Sequence, residues 1–238
     1  MTPPLPPCQV SSVYSSPTTQ SPFINPPLTS LLAVHVAGWD EDKLALWRRL
    51  WEDLEIGYLD EDALPVIVEL FARPKAYTSS SCSGRITVID AEYPWRKDDA
   101  TIVYKVHRPL RVEELRAVME RPYRYRLWLS VQGPIYHVYV KDLEEANEVL
   151  EAAREAGFKH SGVMVASGDR LLLELRTGIR VAAPLIDRDA VYVADLDALV
   201  RLANRALVEA KERNVRLLEA LRARRPKTLW GPAASRLR

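Results

Sequence analysis

Residues 77–86 read YTSSSCSGRI and set Thr78, Ser79, Ser80, Ser81 and Ser83 beside the thiol of Cys82, Gly84 and the guanidinium of Arg85. The hydroxyls can donate and accept toward a polar ligand. A glycine lets backbone approach closely, and an arginine offers a planar fork to a carboxylate or phosphate. Hydrolysis is not the chemistry suggested: a Gly-x-Ser-x-Gly elbow needs a glycine two residues before the nucleophile, and those positions hold other residues. The run also lacks the Gly-Lys-Ser/Thr ending of a P-loop. Because serine side chains compete for backbone hydrogen bonds, the run is expected to be a turn, either ligand-binding or a plain serine-rich surface loop.

Histidine is the other source of proton chemistry. His107 lies in YKVHRP and His137 in IYHVYV, both strand-like, where a histidine among aromatics serves either as a base or as a packed core residue. His160, next to Ser161-Gly162, is expected to be exposed. No His, Cys or carboxylate spacing matches a metal-site motif, so no metal is expected. The two cysteines, Cys8 and Cys82, are too few for a disulfide framework or a Cys-based zinc site, which fits a reducing cytoplasm.

The elements that must hold these residues follow from periodicity. Leu44, Trp47, Trp51 and Leu54 recur at helical spacing, with Asp40 as an expected cap and Gly57 as a stop. A second helix over EDALPVIVELFARP tolerates Pro65 in its first turn and ends before Pro74. Strands are expected over 86–90, 101–107, 126–131 and 135–140, with a short helix at 112–119. A helix opens at Asp142 with Glu145 three residues on, a capping-box pattern, and stops at Gly157. Strands near 162–165, 171–176, 179–185 and 191–193 lead to a long helix over 195–224. Elements in this irregular order predict an α+β fold with mixed or antiparallel sheets. No strand leads into a Gly-x-Gly turn, so a Rossmann-type fold is not supported. The echo between CSGRITVI and KHSGVMVA suggests internally duplicated helix-turn-strand units whose Ser-Gly turns share a cleft, with chance similarity as the alternative.

The ends differ from the body. Residues 1–39 carry no charge and residues 1–30 hold eight of the seventeen prolines, so 1–36 is expected to be a disordered Pro/Ser/Thr-rich tail, or a leader upstream of a true start near Leu31 or Val34. Residues 37–225 would form one domain and 226–238 a basic tail. Although the net charge is +1, residues 201–238 hold eleven Lys and Arg against three Glu, which suits either a nucleic-acid contact or a solvated helix face. Only seven Asn and Gln occur in a strongly charged chain, a balance associated with thermophile proteins. No apolar stretch is long enough to span a membrane.

Taken in order, the Ser80–Arg85 block, Ile135-Tyr136-His137-Val138 before a capped helix, Gly157-Phe158 with Ser161-Gly162 after it, Arg176-Thr177 and Pro184-Leu185 resemble the wybutosine-synthesising protein 3 family of archaea and eukaryotes. The resemblance spans roughly residues 40–222; Lys105 and His107 match a Lys-x-x-His-like element with looser spacing. It implies a fold unlike the common methyltransferase folds. It also implies an S-adenosyl-L-methionine-dependent methyltransferase acting on N4 of the tricyclic base at position 37 of tRNA(Phe). The alternative is a non-catalytic RNA-binding module that recognises the modified base, and a Cys82-dependent enzyme is a more distant one. Under the methyltransferase reading Ser80, Ser81, Ser83, Gly84, Arg85, Ser161 and Gly162 would hold the cofactor. His137, or failing that His107, would be the base. Lys105, Arg176, Arg222, Arg224 and Arg225 would meet the tRNA.

Overall fold

The computed structural model describes residues 38–96 and 98–237; the segment 1–36, expected to be a tail, lies outside the described residues. Helix α1 (Trp39–Glu55) starts two residues earlier than its sequence signal: Gly38 is the N-cap, and Asp40 falls inside the first turn with Glu41 and Asp42. Three carboxylates there complement the positive end of the helix dipole. A 3₁₀ turn (Glu61–Ala63) leads into α2 (Leu64–Ala72), which carries Pro65 in its first turn.

The serine-rich run is not a turn. It forms strand β1 (Ala76–Cys82), antiparallel to β5 (Ile135–Val140), with a bulge between Thr78 and Ser80 that places Ser80 opposite His137. Pairing with β5 supplies backbone partners, and tertiary pairing of this kind overrides the local preference of serine. The other strands are β2 (Arg85–Asp90), β3 (Thr101–Val106), β4 (Leu127–Gln132), β6 (Gly162–Ser167), β7 (Arg170–Arg176) and β8 (Arg180–Ile186). They make two four-stranded antiparallel sheets, ordered β1-β5-β7-β6 and β3-β2-β4-β8. Residues 191–193 contribute only an isolated bridge, Val191 to Ile186.

Three strands run from one sheet straight into the other: β1 into β2 through Ser83-Gly84, β4 into β5 through Gly133-Pro134, and β7 into β8 through residues 177–179. The two sheets therefore meet along a crease. Glycine is required there. Gly84 has φ +108°, and a Cβ on Gly133 would lie 2.1 Å from Thr177 Oγ1.

Helices cover one side. Helix α3 (Val112–Met119) packs with the β2-side sheet, and α4 (Leu143–Glu155) with the β5-side sheet. Asp142 caps α4 by accepting from Glu145 N, but the Glu145 side chain pairs with Arg73 and does not complete the box. The long helix α5 (Leu196–Ala223) crosses both cores: Val200, Ala203 and Leu207 enter one, Leu217 and Leu221 the other, and Ala210 and Asn214 sit between them at the crease. One apolar stripe on one helix thus sets both sheets' position. Beyond it, residues expected to be a basic tail are packed: Trp230 N donates to Ala72 O at 2.8 Å, its ring meets Trp47 and Phe71, and α6 (Gly231–Ala234) buries Ala233. No described helix is long and apolar enough to cross a membrane.

Candidate active site

The crease gathers two clusters around β1, one on each sheet. On the β5 side, Ser80, His137 and Glu174 occupy one cross-strand row. Alternation puts Tyr136 and Val138 into the core and leaves His137 on the other face of the sheet. Ser80 Oγ lies 2.6 Å from His137 Nδ1, and His137 Nε2 lies 3.5 Å from Glu174 Oε2. Arg176 Nε is 3.6 Å from the other Glu174 oxygen. A hydroxyl, an imidazole and a carboxylate are therefore aligned so that a proton taken at Ser80 has an acceptor at Nδ1, with a negative charge beyond it.

The second cluster joins four parts of the chain. Asp60, just before the 3₁₀ turn, accepts from Ser83 N at 2.8 Å and lies 3.0 Å from His107 Nδ1. Lys211 Nζ on α5 is 3.8 Å from the same carboxylate, donates to Asp62 at 2.6 Å and also reaches Ser83 Oγ. Asn214 donates to Ser83 O at 2.8 Å and accepts from Tyr136 OH at 2.9 Å. Burial alone would raise the Asp60 pKa, but the hydrogen bonds from His107 and Ser83 and the charges of His107 and Lys211 hold it far below the usual carboxylate range. The Asp60 hydrogen bond, aided by Cys82, pushes His107 up to about 9. For Cys82, the His107 contact and the Arg85 charge outweigh burial and lower the thiol. That shift favours the protonated, cationic form of His107 at neutral pH, a form that cannot remove a proton.

Asp60, Cys82 and His107 offer ligand atoms that all lie within 4.8 Å of one another, a spacing a metal ion would accept. The ammonium of Lys211 beside the carboxylate and the imidazolium next to it supply positive charge at that point. Nor is the trio a nucleophile relay. Cys82 Sγ, at 3.9 Å, and Asp60 both face the same nitrogen of His107, whereas a relay needs opposite ones.

The residues expected from the sequence divide accordingly. Ser80 is exposed beside His137, and Arg85 donates from Nε to Gln132 at 3.1 Å. Ser83 is wholly buried with its amide, carbonyl and hydroxyl all engaged, so it braces the crease from within. Ser161 donates to Phe158 O and accepts from Arg176 N, closing the α4–β6 turn. That turn flanks the same end of the first sheet, but β5 and β7 separate it from β1, about 14 Å at ordinary strand spacing. The two Ser-Gly turns therefore do not converge, and they enter different sheets. Gly162 is open, with nothing near its missing Cβ. Lys105 is exposed on the edge strand β3 and Arg176 is half exposed beside Glu174. His160 is exposed, as expected.

The basic cluster near the C-terminus is engaged in the fold. Arg225 makes a two-pronged pair with the buried carboxylate of Glu69, Arg222 lies 3.6 Å from it, and Arg224 pairs with Glu155. Sequence reasoning missed Asp60, Lys211, Glu174 and Asn214. Only Asn214 left a signal: it is a polar residue at a core position of the α5 stripe.

Comparison with known proteins agrees with this architecture. The family described as Methyltransferase TYW3 matches residues 41–223. The chain is 40% identical over 178 residues to a tRNA(Phe) 7-((3-amino-3-carboxypropyl)-4-demethylwyosine(37)-N(4))-methyltransferase of Saccharolobus solfataricus, covering 74% of this chain and 85% of that one. It is 41% identical over 165 residues to the enzyme of the same name from Aeropyrum pernix, with 68% and 87% covered. Among solved structures, the PH1069 protein of Pyrococcus horikoshii superposes with a TM-score of 0.72 at 29% identity, covering 76% of this chain and 95% of that one. A hypothetical protein of Aeropyrum pernix gives a TM-score of 0.62 at 36% identity, with 70% and 97% covered. With the family matching nearly all of the described body, this chain belongs to the Methyltransferase TYW3 family.

Proposed function

We propose that the protein methylates N4 of the demethylated tricyclic base at position 37 of tRNA(Phe), using S-adenosylmethionine, and that the crease is where it does so. The observation that carries the reading is the Ser80–His137–Glu174 row, where an exposed hydroxyl is backed by an imidazole and a carboxylate. The reaction is the one for which the relatives are named.

The residues at the crease suit the cofactor's chemistry. Ser81 Oγ and Thr177 Oγ1 are buried hydroxyls with no partner among the described residues, an unsatisfied polar capacity that a ligand rich in hydroxyl and charged groups would use. Arg85, tied through Nε alone to Gln132 among the described residues, keeps its terminal nitrogens for a carboxylate. When bound, S-adenosylmethionine supplies a methyl group activated by a positively charged sulfur. The chain's own task is to orient the accepting nitrogen and remove its proton. Ser80 meets that proton, His137 Nδ1 accepts it, and Glu174 stabilises the imidazolium that results. His107 takes no part in the transfer; its charge fixes the Ser83-Gly84 link through Asp60. Arg176 and Lys105 lie on the same side as substrate contacts. Incubating the protein with S-adenosylmethionine and tRNA(Phe) lacking the N4 methyl should add one methyl group to that nucleoside, measured by mass spectrometry. Cofactor binding with no methylated nucleoside would overturn the assignment.

A further inference from the structure

The far end of the second sheet carries a surface that the proposed reaction leaves unused. Strand β4 turns Leu127, Leu129 and Val131 into the core, so Trp128, Ser130 and Gln132 share the opposite face. Gln132 lies at the crease beside Arg85. Trp128 is four residues further along, about 13 Å away.

Around Trp128 the rings are exposed and interleaved with guanidinium groups. Tyr93 and Trp95 stack at 4.9 Å and 21°, and Trp95 is 67% exposed. Arg96 lies over Tyr93 at 5.3 Å. Arg126 lies 5.6 Å from the Trp128 ring and 5.2 Å from Tyr192, itself 46% exposed. Trp128 Nε1 donates to Ala91 O, which ties the 91–96 loop to the sheet. Core packing does not explain rings held this way in solvent. The arginines are matched locally, Arg126 by Asp187 and Arg96 by Glu92, so the patch offers ring and guanidinium faces more than unpaired charge.

We infer that this patch stacks unpaired nucleotides of the RNA that flank the reacting base. Every base has a π-face, so aromatic and arginine platforms bind single strands with little regard to sequence. The distance to the crease suits a short stretch, about four nucleotides at the spacing of a stacked strand. The charge pairing favours stacking over phosphate neutralisation as the source of affinity. The inference rests on the RNA substrate proposed above.

Its test uses a fluorescently labelled RNA hairpin with an unpaired loop and a fully paired RNA duplex as control, titrated with the full-length protein. The wild type should prefer the hairpin. The double variant Tyr93→Ala/Trp95→Ala should bind it roughly tenfold more weakly, in the range of one lost stacking contact, and melt at the wild-type temperature. The slope of log affinity against log salt should stay the same, because no phosphate contact is lost. Trp95→Phe should restore most of the affinity. Unchanged hairpin affinity in the double variant, with methylation by the wild type intact, would overturn this inference alone. Wild-type protein that self-associates in sedimentation and a double variant that does not, with RNA binding untouched, would reassign the patch to a protein contact. A wild type that binds neither RNA would overturn the inference together with the reaction it rests on.

Discussion

Two histidines stand on either side of the same serine-rich strand, and their surroundings give them opposite tasks. His107 faces Asp60, with Lys211 holding the same carboxylate, and is kept as a cation well above the ordinary imidazole range. His137 faces a hydroxyl at Nδ1 and has a carboxylate only at 3.5 Å from Nε2. A charged imidazole paired in a partly buried site is a structural strut; one that meets an exposed hydroxyl is placed to accept a proton. Residue type did not separate them. The neighbours, drawn from distant parts of the chain, did.

The contrast breaks most visibly at His137. Replacing His137 with Ala should lower the methylation rate by about 10²- to 10⁴-fold, the usual worth of a positioned base. Melting temperature and cofactor affinity should stay near wild type, because the side chain lies outside both cores. A variant that keeps its rate would move the base elsewhere.

Asp60→Asn should act on stability instead. It retains an oxygen for Ser83 N but removes the charge facing His107 and Lys211. A loss of about 2–3 kcal/mol is expected, read as a fall of roughly 5–10 °C in melting temperature. The pH dependence sharpens the point. His107 has a raised folded pKa, so its contribution is complete below the unfolded value of 6.5 and is lost as pH rises through about 9. The depressed Asp60 places the acid-side loss below the ordinary carboxylate range. Wild-type melting temperature should therefore decline between pH 6.5 and about 9, and the Asp60→Asn profile should flatten there.

The smallest effect belongs to Cys82. Cys82→Ser should stay within about threefold of wild-type activity, because methyl transfer to an amine needs no thiol nucleophile. A folded but inactive Cys82→Ser protein would revive the thiol chemistry set aside above.

Much of this was legible in the sequence. Strand β5 and helix α3 fall where alternation and periodicity put them, and the family blocks follow in order. What was misread had a common cause. The serine-rich run looked like a turn because its own side chains favour one, but its partner strand lies more than fifty residues away. Asp60 meets Ser83 across 23 residues and Lys211 meets it across 128, separations over which no local pattern carries information. The C-terminal arginines carried no sign of their ion pairs, because Glu69, the buried partner of Arg222 and Arg225, sits 156 residues before Arg225. Asn214 could have been found, since a polar residue in an otherwise apolar stripe asks for a partner.

The division of labour between the histidines is tested most directly by nitrogen-resolved NMR of the side-chain rings, with His107 assigned from a His107→Asn variant. At pH 7.5 both ring nitrogens of His107 should carry protons, and the ring should lose one only near pH 9. A neutral His107 ring at pH 7.5 would contradict the account, because His107 would then be as able as His137 to take the proton and the two sides of the strand would no longer differ.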